Sequence, residues 1–227
     1  MLTLLLILIF FVCLGFLFAE GMWGNAIRLV NVLTAALLAT NFFEWAARVL
    51  EGWAPSFTYH WDFLALWGLF ALFMAILRGA TDFISKVKVR FRKVTDQVGS
   101  PLLAACVGWV MVCFTAMTLH TAPLARTSMR GSFQPEQRMF LGLAPDRKWL
   151  AFVQTMSRGT FCRSATAKDF QQEPAWEEDK TRTFDPRSEF MPKYATRRAN
   201  LETHVNRYGT TRVNPEEKRV GTEEESQ

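Results

Sequence analysis

The run LTLLLILIFFVCLGFLFA, Leu2–Ala19, carries no charged side chain across 18 positions, and LLAACVGWVMVCFTAMTL, Leu102–Leu119, is a second run of the same kind. Two further apolar cores lie between them, Asn31–Phe43 and Phe63–Leu77, extended by Ala26, Ile27 and Leu29 and by Tyr59 and Trp61. A helix rises ~1.5 Å per residue, so roughly 20 residues cross a hydrocarbon layer of about 30 Å. The sequence therefore predicts an all-α membrane protein with about four transmembrane helices, over 2–19, 26–43, 60–78 and 101–119. No positive residue precedes the first run, and it outruns the roughly 7–15 residue apolar region of a cleaved signal peptide, so it is expected to stay as a membrane helix.

Whole-chain averages hide this organisation. The 227 residues are 50% hydrophobic, yet positions 1–119 hold only 14 Lys, Arg, Asp and Glu, while the remaining 108 hold 33. The break near His120 marks a change of solvent. Residues 1–119 read as a transmembrane domain and 120–227 as a polar, partly disordered C-terminal extension with short helices over 146–157 and 192–207. In the first of these, Asp146 is expected to cap a helix with Trp149, Leu150, Phe152, Val153 and Met156 on its apolar side. In the second, Arg198 and Glu202 are spaced as an i, i+4 pair and Gly209 closes the helix.

The pI of about 9.2 does not point to nucleic acid, because Arg78, Lys86, Lys88, Arg90, Arg92 and Lys93 cluster between two apolar runs. Cations placed there meet anionic lipid headgroups. On a helical wheel Phe83, Ile84, Val87, Phe91, Val94 and Val98 share one face, which predicts an amphipathic helix over 81–98 lying in the membrane interface. Gly99 is expected to break it, with Ser100 as N-cap and Pro101 in the first turn of the fourth span. Gly79 is read as the bend leaving the third span. The positive-inside rule puts this connection in the cytoplasm and, with four spans, both termini on the far side; Arg126 and Arg130 argue the other way. Trp45, Trp53, Tyr59 and Trp61 surround the predicted loop Glu44–Asp62 and read as an aromatic belt at headgroup depth.

Within the spans, Arg28, Asn31, Thr34 and Asn41 fall on one side of the second helix and should face other helices or a hydrated crevice, since polar groups are costly in lipid. Ala71, Ala75 and Gly79 on the third span and Ser100, Ala104 and Gly108 on the fourth repeat small residues every four positions, which predicts a tight pair between these two helices. Cys13, Cys106 and Cys113 lie in apolar runs and Cys162 in the tail, so no disulfide framework is implied. His60, His120 and His204 are scattered, and no metal-ligand spacing, phosphate loop or nucleophile elbow is present. Asp82 and Asp96 flank the basic segment and are expected to pair with its cations. No cofactor and no catalytic residue is expected.

The order of elements resembles the CvpA family, the colicin V production proteins of bacterial inner membranes. Asp96 is followed by small residues four, eight and twelve positions on, at Ser100, Ala104 and Gly108, as in the family's signature. Val107 stands where the family has a basic residue and Gln97 replaces a frequent Arg. Gly21, Gly24 and Arg28 are similar to the family's glycine-rich, charged start of the second span, and the segments Pro145–Arg158 and Phe184–Asn200 to C-terminal extensions of planctomycete relatives. The resemblance covers Leu2–Leu119. It implies a multi-pass inner-membrane protein tied to toxin production or export and to envelope maintenance, non-enzymatic, with lipid headgroups and either further copies of itself or export and envelope proteins as partners. The departures put in doubt any role that needs the missing Arg. Two other readings stand beside it: a small oligomeric channel or transporter lined by the polar face of the second span, and a membrane anchor whose tail binds partners.

Overall fold

A computed structural model of the chain describes residues 1–84, 93–124, 139–157, 184–185 and 188–213. Among these there are six α-helices and no strand: α1 (Leu2–Phe18), α2 (Met22–Trp53), α3 (Thr58–Ile84), α4 (Lys93–Thr121), α5 (Pro145–Ser157) and α6 (Phe190–Tyr208). Three stretches are long and apolar enough to cross a membrane, Met22–Trp53, Pro55–Ile84 and Asp96–Thr121. The first helix is apolar and shorter, with 17 residues over about 26 Å. Among the described residues the apolar helices are thus three long ones and the shorter α1, which packs along α4.

α2 runs past its expected end by ten residues, to Trp53. Phe43 and Ala47 are buried on one side of this extension while Trp45 and Trp53 are 62% and 86% exposed, so helical periodicity continues where the uniform apolar run stops. The expected loop Glu44–Asp62 shrinks to Ala54 and the 3₁₀ turn Pro55–Phe57. Pro55 presets its own backbone for that turn, and the Trp61 indole donates to the Ala54 carbonyl at 2.8 Å. Between Arg28 and Glu44 on α2, and between Asp62 and Arg78 on α3, the charge-free stretches are each about 24 Å long. That is a thin apolar layer, and the long side chains at its rims have the reach to snorkel.

α4 also overruns its prediction. Gly99, Ser100 and Pro101 all lie inside it, so no break or N-cap occurs there. Pro101 forfeits a single helical hydrogen bond and the helix continues around it. Gly99 serves a close approach instead: a Cβ at that position would collide with the Met22 sulfur at the start of α2. Gly79 likewise makes no bend, because α3 continues to Ile84. The predicted amphipathic helix over 81–98 is therefore divided, with 81–84 ending α3 and 93–98 opening α4; its centre, including Lys86, Lys88, Arg90 and Arg92, lies outside the described residues, as does the Lys93 side chain.

The helices run up and down, so the α1–α2 turn and the start of α4 share one end, and the α2–α3 turn and the end of α4 share the other. A single core joins bundle and tail: Phe43, Leu66, Phe70 and Phe114 are continuous with Trp149, Val153, Phe184, Phe190 and Tyr194. Aromatic rings carry it from α3 through α4 to α5, with Phe70–Phe114 centroids 4.9 Å and Phe114–Trp149 centroids 5.9 Å apart. The two tail helices expected from sequence are present, but they dock on the bundle instead of standing apart from it.

Candidate functional site

The docked tail covers a buried polar network. His120, in the last turn of α4, meets Asp146 of α5 with Nε2 3.0 Å from Oδ2, and both side chains are 1% exposed. A carboxylate only accepts, so Nε2 carries the proton; Nδ1 then accepts from Arg198 Nη2 on α6, 3.4 Å away. Asp146 occupies the first turn of α5, where the helix dipole favours a negative charge. It is not the cap expected from sequence, because its carboxylate is turned inward to the histidine.

The network continues along α6. Arg198 Nε donates to the Tyr194 carbonyl at 3.3 Å, and the Tyr194 hydroxyl donates to Asp62 of α3 at 2.9 Å. Arg197 lies 2.7 Å from the same Asp62 oxygen and also bonds the Thr58 carbonyl. Burial, reinforced by the charge and hydrogen bond of Asp62, holds the Tyr194 hydroxyl well above its ordinary pKa, so it remains a donor. Beside these, the Trp149 indole donates to Thr40 on α2 at 3.1 Å, and Lys193 pairs with Glu44 at 3.1 Å nearer the surface. Asp62 and Asp146 balance Arg197 and Arg198 in charge. A shallow cleft with room for about 10 Å³ opens beside them, lined by Tyr59, His120, Tyr194, Arg197, Arg198 and Leu201 among others. Charge-assisted bonds thus tie α3, α4, α5 and α6 to one another, and Lys193–Glu44 adds α2.

A second polar knot closes the opposite end. Asp96 Oδ1 accepts from the Met22 N–H at 2.6 Å and so satisfies a free donor at the start of α2. The Asn25 amide, fully buried, donates to the Leu17 carbonyl at 3.0 Å and the Ser100 carbonyl at 3.1 Å, while the Ser100 hydroxyl donates to the Glu20 carbonyl. Arg28 meets Glu20 at 2.5 Å. The positions of the sequence signature, Asp96 and Ser100, thus stitch α4 to the α1–α2 turn, and Gly108 lets α1 approach, since a Cβ there would lie 3.1 Å from the Phe10 ring.

The remaining sequence-derived residues separate into groups. Asn31 is buried and donates to Thr81 of α3 at 3.0 Å, the helix-to-helix bond expected of the polar arc; Thr34 and Asn41 are half-buried. Ala71, Ala75 and Gly79 are exposed, and a Cβ at Gly79 would touch nothing, whereas Ser100 and Ala104 are buried. The predicted tight pair of α3 and α4 does not form through these stripes, because the α4 stripe is taken by α1 and the start of α2. Arg78 is exposed and 3.8 Å from Asp82.

Sequence reasoning missed Asn25, Asp62, His120 and Tyr194 as interacting groups and paired Arg198 with Glu202, where the structure turns it to His120 and the Tyr194 carbonyl. Their one local signal is position: Asp62 and His120 each sit at the edge of a charge-free run. No known protein family, curated protein or solved structure matches this chain.

Proposed function

We propose that this is a non-enzymatic multi-pass membrane protein of the colicin V production type, acting in a bacterial inner membrane as a platform that supports toxin export or envelope maintenance. The observation that carries this reading is the network of Asp62, Tyr194, His120, Asp146, Arg197 and Arg198, which spends its ionisable groups on one another and fastens the tail helices to the bundle end. A rigid cap of this kind suits the assembly of partners. In support of the family reading, Asp96 and Ser100 hold α4 against the α1–α2 turn, a structural task suited to a sequence signature. The channel reading draws less support, since Asn31 is bonded to Thr81 and Arg28 to Glu20.

Two measurements on the full chain test the proposal. Reconstituted into liposomes, it is expected to leave solute and ion flux at the level of empty vesicles. Site-specific photo-crosslinking from exposed cap positions in the host membrane is expected to yield a defined partner that is lost when Arg198→Ala loosens the cap. A selective flux abolished by Asn31→Leu would instead establish the channel.

A further inference from the structure

The turn between α4 and α5 ends in an uncharged stretch, Met139-Phe140-Leu141-Gly142-Leu143-Ala144-Pro145. Met139 is buried in a small core with Leu2 and Leu6 of α1 and Val112 and Ala116 of α4. Phe140 packs on Trp109 with ring centroids 6.1 Å apart, and the Lys148 ammonium lies 5.6 Å from the centre of the same Trp109 ring. These contacts hold the turn against the first two turns of α1. The outward surface of α1 is apolar, with Leu4 70%, Leu8 60% and Phe11 61% exposed. In the same turn Leu141 and Leu143 are 83% and 44% exposed.

We infer that the Met139–Ala144 turn is a lipid-inserting anchor, with Leu141 and Leu143 seated at the boundary between headgroups and acyl chains of the membrane that surrounds α1. This rests on the membrane reading of the bundle. Three physical points carry it. Through Met139 the turn adjoins the first turns of α1, whose outward surface already requires an apolar medium. The backbone answers part of its own polarity, since Leu143 N–H bonds Phe140 O at 3.0 Å and Ala144 N–H bonds Met139 O at 3.1 Å, which lowers the cost of placing a turn beside hydrocarbon. Phe140 and Leu141 adopt left-handed backbone angles, φ 53° and 55°, a costly conformation for such side chains that turns Leu141 outward.

The test uses the full chain in vesicles of phosphatidylcholine and phosphatidylglycerol, with Cys13, Cys106, Cys113 and Cys162 replaced by alanine and one spin label at a time on Leu141→Cys, Leu8→Cys or Thr203→Cys. Collision with oxygen, which partitions into lipid, is compared with collision with a water-soluble nickel chelate. The oxygen-to-chelate ratio is expected to be several-fold higher at Leu141 and Leu8 than at Thr203, on the exposed side of α6. A Leu141 ratio like that of Thr203, with Leu8 remaining lipid-like, overturns the anchor and leaves the membrane reading standing. Leu8 matching Thr203 overturns both. A Leu141 label shielded from both colliders means protein covers the turn, and that also overturns the inference.

Discussion

The two ends of the bundle are fastened by different means. At the α1–α2 turn, Asp96, Asn25 and Ser100 act chiefly on main-chain groups, over a short span and with one close ion pair, Glu20–Arg28, at the rim. At the other end, side chains from α3, α4, α5 and α6 bond to one another in a site from which water is largely excluded. The first arrangement repairs helix ends and costs little when lost. The second buries charges whose desolvation is tolerable only while each partner stays in place. The end that carries the tail should therefore be far more sensitive to single substitutions.

That contrast can be broken most sharply at Trp149, which joins the two kinds of contact by filling the aromatic core and donating to Thr40. Trp149→Ala should cost about 4 kcal/mol, within the range for a buried aromatic, and release the tail to protease, whereas Trp53→Ala, at an exposed position, should leave protection unchanged. Next in size, His120→Ala removes the partner of both Asp146 and Arg198 and should cost about 3 kcal/mol, read from denaturant unfolding in detergent. Asp96→Ala at the other end should cost only about 1 kcal/mol, the usual worth of a helix cap. Equal losses for the two would erase the distinction.

Alkali offers an independent probe of the tail-bearing end. Because the folded Tyr194 hydroxyl has its pKa raised, its contribution is present below the unfolded value of about 10 and is lost as pH rises beyond it. Protection of the tail from protease should fall above about pH 10, and Tyr194→Phe should remove that dependence. The smallest effects concern glycines. Gly79→Ala should stabilise α3 by a few tenths to 1 kcal/mol, because the new methyl meets nothing, while Gly108→Ala should destabilise by pressing on Phe10. Thermal unfolding of the pair distinguishes them by sign.

Much of this architecture is legible in the chain. Four apolar runs, two tail helices and the closing Gly209, which adopts φ 68°, are found where composition and spacing put them. The helix ends are not. α2 runs on toward the tail-bearing end and α4 begins early at the opposite end, because hydropathy reports the medium around a helix and not where its backbone bonds stop. The small-residue stripe of α3 resembled that of α4, yet only the latter is buried, since spacing defines a face without naming its neighbour.

By itself, the sequence determined the helical class and the apolar layer, because charge-free runs of this length have few stable alternatives outside lipid. Tertiary structure alone decided which polar groups meet. His120 and Asp146 are 26 positions apart, Thr40 and Trp149 are 109 apart, and Asp62 and Tyr194 are 132 apart. No local pattern encodes such pairings; they follow from how the tail helices settle on the bundle end, where an unpaired buried charge would be too costly to keep.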